Sequence, residues 1–132
     1  MTSTHESILL ADDEEKILKR LGRTLRDEGH DVVEATNARD AQRCMGERHF
    51  DLLLLDNVMP GMTGLELIRE LAHTTTAERP QIVMMTAHGS TQLVREAFKL
   101  GVEDFLEKPF EVDEPLALAR RAVKSQRLRT ER

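Results

Sequence analysis

Five times along this chain a short apolar run gives way to a segment with helical spacing, and few architectures accommodate that alternation. The runs are ILLA (residues 8–11), VV within DVVEA (31–35), LLLL (52–55), IVMM (82–85) and FL (105–106). After the first, Ile17, Leu18, Leu21 and Leu25 recur on one helical face, and Gly29 suits a helix stop. Asn37 suits the cap of a second helix with Ala38, Ala41, Cys44 and Met45 inside. Leu65, Ile68 and Leu71 predict a third helix, and the polar stretch 73–80 a loop. Ser90 caps a fourth, with Val94, Ala97 and Phe98 inside and Gly101 at its end. Leu116, Ala119 and Val123 predict a fifth. Five strand–helix units with short connections imply an α/β domain whose parallel sheet carries helices on both faces.

The stretch FDLLLLDNVMPGMTG (50–64) then poses a chemical question. Leu52 to Leu55 do not alternate with polar residues, so that strand is buried on both faces. It nevertheless ends in Asp56. In open α/β sheets, ligands bind beyond the carboxyl ends of the strands. There the first strand presents Asp12 and Asp13, the third Asp56, the fourth Thr86 and the fifth Lys108. Three carboxylates on one rim repel each other unless a cation joins them. Hard oxygen ligands suit Mg²⁺, and Lys108 and Thr86 suit a phosphoryl group. Asp56 is then the candidate nucleophile for an aspartyl phosphate. Taken singly, an Asp at a strand end is more often a turn residue, and Asp12 to Glu15 could be an acidic first helical turn. The conjunction on four strand ends carries the signal.

Composition narrows the classes. The chain has 132 residues, enough for one domain, and its charged fraction of 33% with net charge −5 argues against a general nucleic-acid binder. A single cysteine, Cys44, allows no internal disulfide and reads as a small buried residue. His5, His30, His49 and His73 lack the spacing of a metal site. No run approaches ~18 apolar residues, and the opening MTSTHESILLADDEE has no basic region ahead of its apolar run. The expectation is a cytoplasmic protein without membrane or direct nucleic-acid contact.

The motifs LLADDE, LLLLDNVMPGMTGLEL, IVMMTAHG and DFLEKPF together resemble the receiver domain of two-component response regulators, over residues 6–124. The resemblance implies a flavodoxin-like (βα)5 fold with strand order 2-1-3-4-5. It implies a signalling receiver rather than an enzyme, catalysing only its own phosphorylation and dephosphorylation. Asp56 would accept phosphate from a sensor histidine kinase or phosphotransfer protein. Asp13, Asp56 and the backbone carbonyl of Val58 would ligate Mg²⁺, and Asp12 would act mostly through water. Lys108 would pair with phosphoryl oxygens, Thr86 would move toward them, and Phe105 would turn inward as the aromatic switch. The Lys108–Pro109 bond would be cis. The switch face would comprise the fourth helix, fifth strand and fifth helix. Val58 and His88 would flank the phosphate; apolar Val58 gives no help to an attacking water, so the phosphorylated form is expected to persist. For His88 an ordinary loop histidine is the favoured reading.

The stretch 87–110 resembles most the receivers of nitrogen-regulator-type transcription activators. Residues 1–124 are then the receiver and 125–132 a basic extension of the last helix, resembling the linker to an output domain. From Arg120 to Arg132 six basic residues face Glu131 alone. That pattern fits a receiver cut from a longer regulator, or a stand-alone receiver with a long last helix. A homodimer through the switch face or the last helix is also compatible. Two other functions compete: a receiver-like module that binds partners without phosphate, and a Mg²⁺-dependent phosphatase with an aspartate nucleophile. The first would lack an acidic or lysine position, and none is missing. The second usually carries D-x-D after its first strand, whereas the acids here are adjacent. No G-x-G-x-x-G or P-loop follows a strand.

Overall fold

The structure, a computed structural model, describes residues 6–73, 79–87 and 89–130, with side chains through residue 121. Strands β1 (Ser7–Ala11), β2 (Asp31–Ala35), β3 (Leu52–Asp56), β4 (Gln81–Thr86) and β5 (Val102–Glu107) alternate with helices α1 (Glu15–Asp27), α2 (Ala38–Glu47), α3 (Gly64–Leu71), α4 (Thr91–Lys99) and α5 (Asp113–Thr130). All pairings are parallel, in the order β2-β1-β3-β4-β5. The expected α/β fold and strand order are both observed.

Two apolar layers explain why β3 does not alternate. Leu53 and Leu55 face one layer with Phe50, Ile68 and Ala97, beneath α2, α3 and α4. Leu52 and Leu54 face the other with Leu18, Leu25 and Ala119, beneath α1 and α5. A strand in the middle of a doubly covered sheet has no solvent side on which to place a polar residue. β5 lies at the edge, and its burial is correspondingly mixed.

The predicted caps hold. Asn37 accepts the Asp40 amide at 2.8 Å, and Ser90 accepts the Leu93 amide at 3.1 Å. α3 adds a capping box, Thr63 with Glu66, that the sequence analysis does not anticipate. The inner face of α4 differs from expectation. Ala97 is buried, but Phe98 is 50% exposed and Val94 only half-buried; Leu93 and Leu100 pack inward instead. The helix covers the sheet near its edge, so only a narrow strip finds cover. It is also tied by Arg69 on α3, which pairs with Glu96 at 2.7 Å, and by Arg79, which donates to the Leu100 carbonyl at 2.9 Å. In α5, Leu118 and Ala119 are buried and Leu116 half-buried; the side chain of Val123 lies outside the described residues. Cys44 is half-buried and packs against the core from α2. Most of the loop 73–80, residues 74–78, also lies outside the described residues. Among the described residues no helix is long and apolar enough to cross a membrane.

Gly64 fixes how closely α3 approaches the end of β3. A Cβ there would meet the Asp56 carbonyl oxygen at 2.7 Å and the Asn57 Cα at 3.0 Å, both backbone atoms that cannot swing away. Gly46, within α2, has open space around the same position. Gly64→Ala is therefore expected to lower stability by about 1–3 kcal/mol in urea denaturation. Gly46→Ala is expected to raise it by about 0.5–1 kcal/mol.

Candidate functional site

The ladder hydrogen bonds run one residue past several strand ends and set the rim of the site. Asp12 follows β1, and its amide donates to the Ala35 carbonyl at 3.1 Å. Its Oδ1 accepts the Glu14 amide at 2.9 Å, a local turn that starts α1. Asp56 is the last residue of β3; the next amide, of Asn57, donates to the Met85 carbonyl at 3.2 Å. Lys108 follows β5, and its amide donates to the Thr86 carbonyl at 2.9 Å. Backbone bonding thus brings Asp12, Asp56, Thr86 and Lys108 to one edge.

The side chains converge there. Asp12, Asp13 and Asp56 each offer a carboxylate oxygen, and these oxygens lie within 4.8 Å of one another. Asp13 is exposed, while Asp12 and Asp56 are buried. The Lys108 Nζ lies 2.7 Å from Asp12 Oδ2, 3.2 Å from Glu14 Oε1 and 3.4 Å from Asp56 Oδ2. Its own side chain is only 10% exposed, so this is a buried ion pair with Asp12 rather than a surface one. Val58 donates its amide to Asp56 Oδ1 at 3.3 Å, and its side chain is 69% exposed beside the rim.

Burial pushes the Asp56 carboxyl up to about 6, and the charge of Asp12 adds to the effect; Lys108 and the Val58 amide only partly offset it. Burial opposes the charge on Lys108, but hydrogen bonding and attraction from Asp12, attraction from Asp56 and the bond to Glu14 together raise its pKa. A single ammonium does not neutralise this many carboxylates. The donor set is all oxygen, partly open through Asp13, and short of positive charge, which fits a hard divalent cation.

The chain matches the response regulator receiver domain family over residues 8–120. It belongs to that family. A Bacillus subtilis transcriptional regulatory protein, YkoG, is 34% identical over 94% of this chain and 54% of its own length. Sporulation initiation phosphotransferase F of the same organism is 32% identical over 83% of this chain and 87% of its own length. NtrX from Brucella abortus superposes with a TM-score of 0.84 at 32% identity, over 96% of this chain and 28% of NtrX. The chain thus spans about half the length of YkoG and much less of NtrX. The receivers it resembles include the nitrogen-regulator type, as expected. Receiver domains are signalling regulators and generally bind Mg²⁺ at an acidic pocket, and this receiver has such a pocket.

Of the residues singled out in the sequence, the structure brings Asp12, Asp13, Asp56 and Lys108 into one cluster, with Thr86 buried on the neighbouring strand end. Phe105 stands apart on β5, half-buried, its ring 5.3 Å from that of Phe98 in an edge-to-face contact. The Lys108–Pro109 bond is cis. His88 and His5 lie outside the described residues. Two participants were not anticipated. Asn57 Oδ1 accepts the Leu65 amide at 3.0 Å and ties the loop after β3 to α3. Glu14 precedes α1 without capping it, and its carboxylate turns to Lys108 instead. The only sequence signal for Glu14 is its place after the acidic pair.

A carboxyl raised in the fold destabilises the folded state wherever it is ionised. That penalty is fully present above pH about 6 and fades as pH falls toward the ordinary value of 3.8. In chelator, Asp56→Asn is therefore expected to raise stability at pH 7.5 by on the order of 2 kcal/mol. The gain should shrink as pH falls through 6 toward 4. Thermal denaturation across that range checks both the sign and the trend.

Proposed function

We propose that this receiver is a phospho-acceptor switch in which Asp56 takes a phosphoryl group from the phosphohistidine of a sensor histidine kinase or phosphotransfer protein. The observation that carries the reading is the buried Asp56 carboxylate, flanked by Asp12 and Asp13 and within 3.4 Å of the Lys108 ammonium. A nucleophile so placed needs positioning and charge stabilisation more than covalent assistance.

Asp13, Asp56 and the Val58 carbonyl would hold Mg²⁺, with Asp12 acting through water. The ion supplies positive charge against the phosphoryl oxygens and the acceptor carboxylate. An Asp56 oxygen attacks phosphorus while the bond from phosphorus to the donor nitrogen breaks. Lys108 stabilises the charge on the equatorial oxygens. The Thr86 hydroxyl then donates to a phosphoryl oxygen, and Phe105 turns inward into the space that Thr86 leaves. The Phe105 ring would leave its contact with Phe98 on α4, which couples the site to the α4-β5-α5 face. The phosphoryl group shifts this equilibrium only by its differential affinity for the two states.

Beside Lys108 a hollow of about 330 Å³, lined by Ile17, Arg20, Ala87, Pro109 and Phe110, could receive side chains of the donor protein. α5 runs on to Thr130, which supports reading residues 125–132 as a helical extension of a receiver at 1–124 toward an output domain. The names of YkoG and of the phosphate regulon transcriptional regulatory protein PhoB from Pseudomonas aeruginosa, 33% identical over 85% of this chain, support transcription as the output. Such a switch works in the cytoplasm, either alone or as a homodimer through α4-β5-α5 or the last helix.

Incubation with Mg²⁺ and acetyl phosphate is expected to add one phosphoryl group by intact mass, lost in Asp56→Asn and in chelator. No addition to the unaltered protein would overturn the reading. Because Val58 is apolar and exposed beside the carboxylate, the phosphorylated form is expected to persist. Val58→Asn and Val58→Glu should shorten its lifetime, timed by the same mass measurement after donor removal.

A further inference from the structure

We infer that Glu14 is a gate on Lys108, accepting one of its ammonium protons until a phosphoryl group arrives and discriminating among donors by their charge. The inference rests on the phospho-acceptor reading of Asp56. An ammonium has three protons to donate. Here it donates to Asp12 at 2.7 Å and to Glu14 at 3.2 Å, and the Asp56 carboxylate lies 3.4 Å away as a charge partner. Two of the three protons are taken by carboxylates, so a phosphoryl oxygen arriving at Nζ meets anions already in place.

Burial decides which carboxylate gives way most easily. The Asp12 side chain is fully buried and that of Asp56 is 5% exposed, whereas that of Glu14 is 60% exposed. Breaking either buried pair would leave a desolvated charge behind. Glu14 can swing into water at little cost, as an exposed ion pair contributes only about 0–1 kcal/mol. Asp12 is also held from its other oxygen by the Glu14 amide, which fixes it in place while leaving the Glu14 side chain free to move. Glu14 therefore holds the position of an anion that leaves when a phosphoryl group arrives. It also lines the hollow beside Lys108, so its negative charge stands at the approach to the site.

The transfer itself is balanced without Glu14. An Asp56 carboxylate oxygen forms a bond to phosphorus, the bond from phosphorus to the acetyl oxygen breaks, and acetate leaves with the electron pair. Glu14 only exchanges its place at Nζ for water. Its effect should then scale with the charge of the donor. Acetyl phosphate carries one more negative charge near neutral pH than phosphoramidate, so it meets more repulsion from Glu14.

The test compares the two donors, with Mg²⁺, on the unaltered protein and on Glu14→Gln, following Asp56 phosphorylation by intact mass. The expected result is a rate with acetyl phosphate raised about three-fold, on the scale of one exposed charge pair. The rate with phosphoramidate should rise less, and added salt should narrow the difference. A second readout needs no metal or donor: the ε-methylene resonances of Lys108 in the metal-free protein should shift in Glu14→Gln. Equal factors for both donors, a slower reaction, or unmoved Lys108 resonances would each overturn the gate while leaving the switch intact. An unaltered protein that takes phosphate from neither donor would overturn both readings.

Discussion

The architecture depends on burying one strand from both sides. Leu52 to Leu55 leave no exposed face on β3, so the polar groups of that region gather at the strand's end. Helices on opposite faces grip the same four leucines, and Asp56 inherits their fixed position. Gly64 completes the constraint from below, because only the absence of a Cβ lets α3 approach the Asp56 carbonyl so closely. If Asp56 is the nucleophile proposed above, a group set on such a strand would need little further ordering.

That rigidity carries an electrostatic penalty. Asp12 and Asp56 are held near each other in a poorly solvated rim, and the Lys108 ammonium does not fully offset their repulsion. The fold keeps the acids together through backbone bonds at the strand ends, which do not depend on charge. The site is thus destabilised on its own and improved by added positive charge. A cation or a metal-bound phosphoryl group would relieve this local conflict, a common arrangement at functional sites.

Much of this was legible in the sequence, and the exceptions share a cause. The five strand–helix units, the caps at Asn37 and Ser90, and the two-faced burial of β3 follow from short-range patterns. The gathering of Asp12, Asp56, Thr86 and Lys108 follows from the rule that ligands bind at the carboxyl ends of parallel strands. The inner face of α4 did not follow, because that helix has more apolar residues than buried positions. The strip that wins, Leu93, Ala97 and Leu100, is set by where the helix crosses the sheet. Glu14 escaped for a similar reason: a long side chain at a helix start has several destinations, and only the placement of Lys108 selects one. The Thr63–Glu66 box, by contrast, is plain local code: a threonine three residues ahead of a glutamate at a helix start.

The meagre anchoring of α4 has a consequence for how signals travel. Its single fully buried residue is Ala97, the smallest side chain with any apolar surface to offer. Two polar ties, Arg69 to Glu96 and Arg79 to the Leu100 carbonyl, supply much of the rest. Such a helix sits at the low end of the local stability scale, well below the strands it covers. On the proposed switch reading, its displacement would spend only a small part of the free energy released at Asp56. A tenfold change in its population needs only about 1.4 kcal/mol. A sheet left as it is while one helix is re-addressed would let the domain carry information without risking its fold.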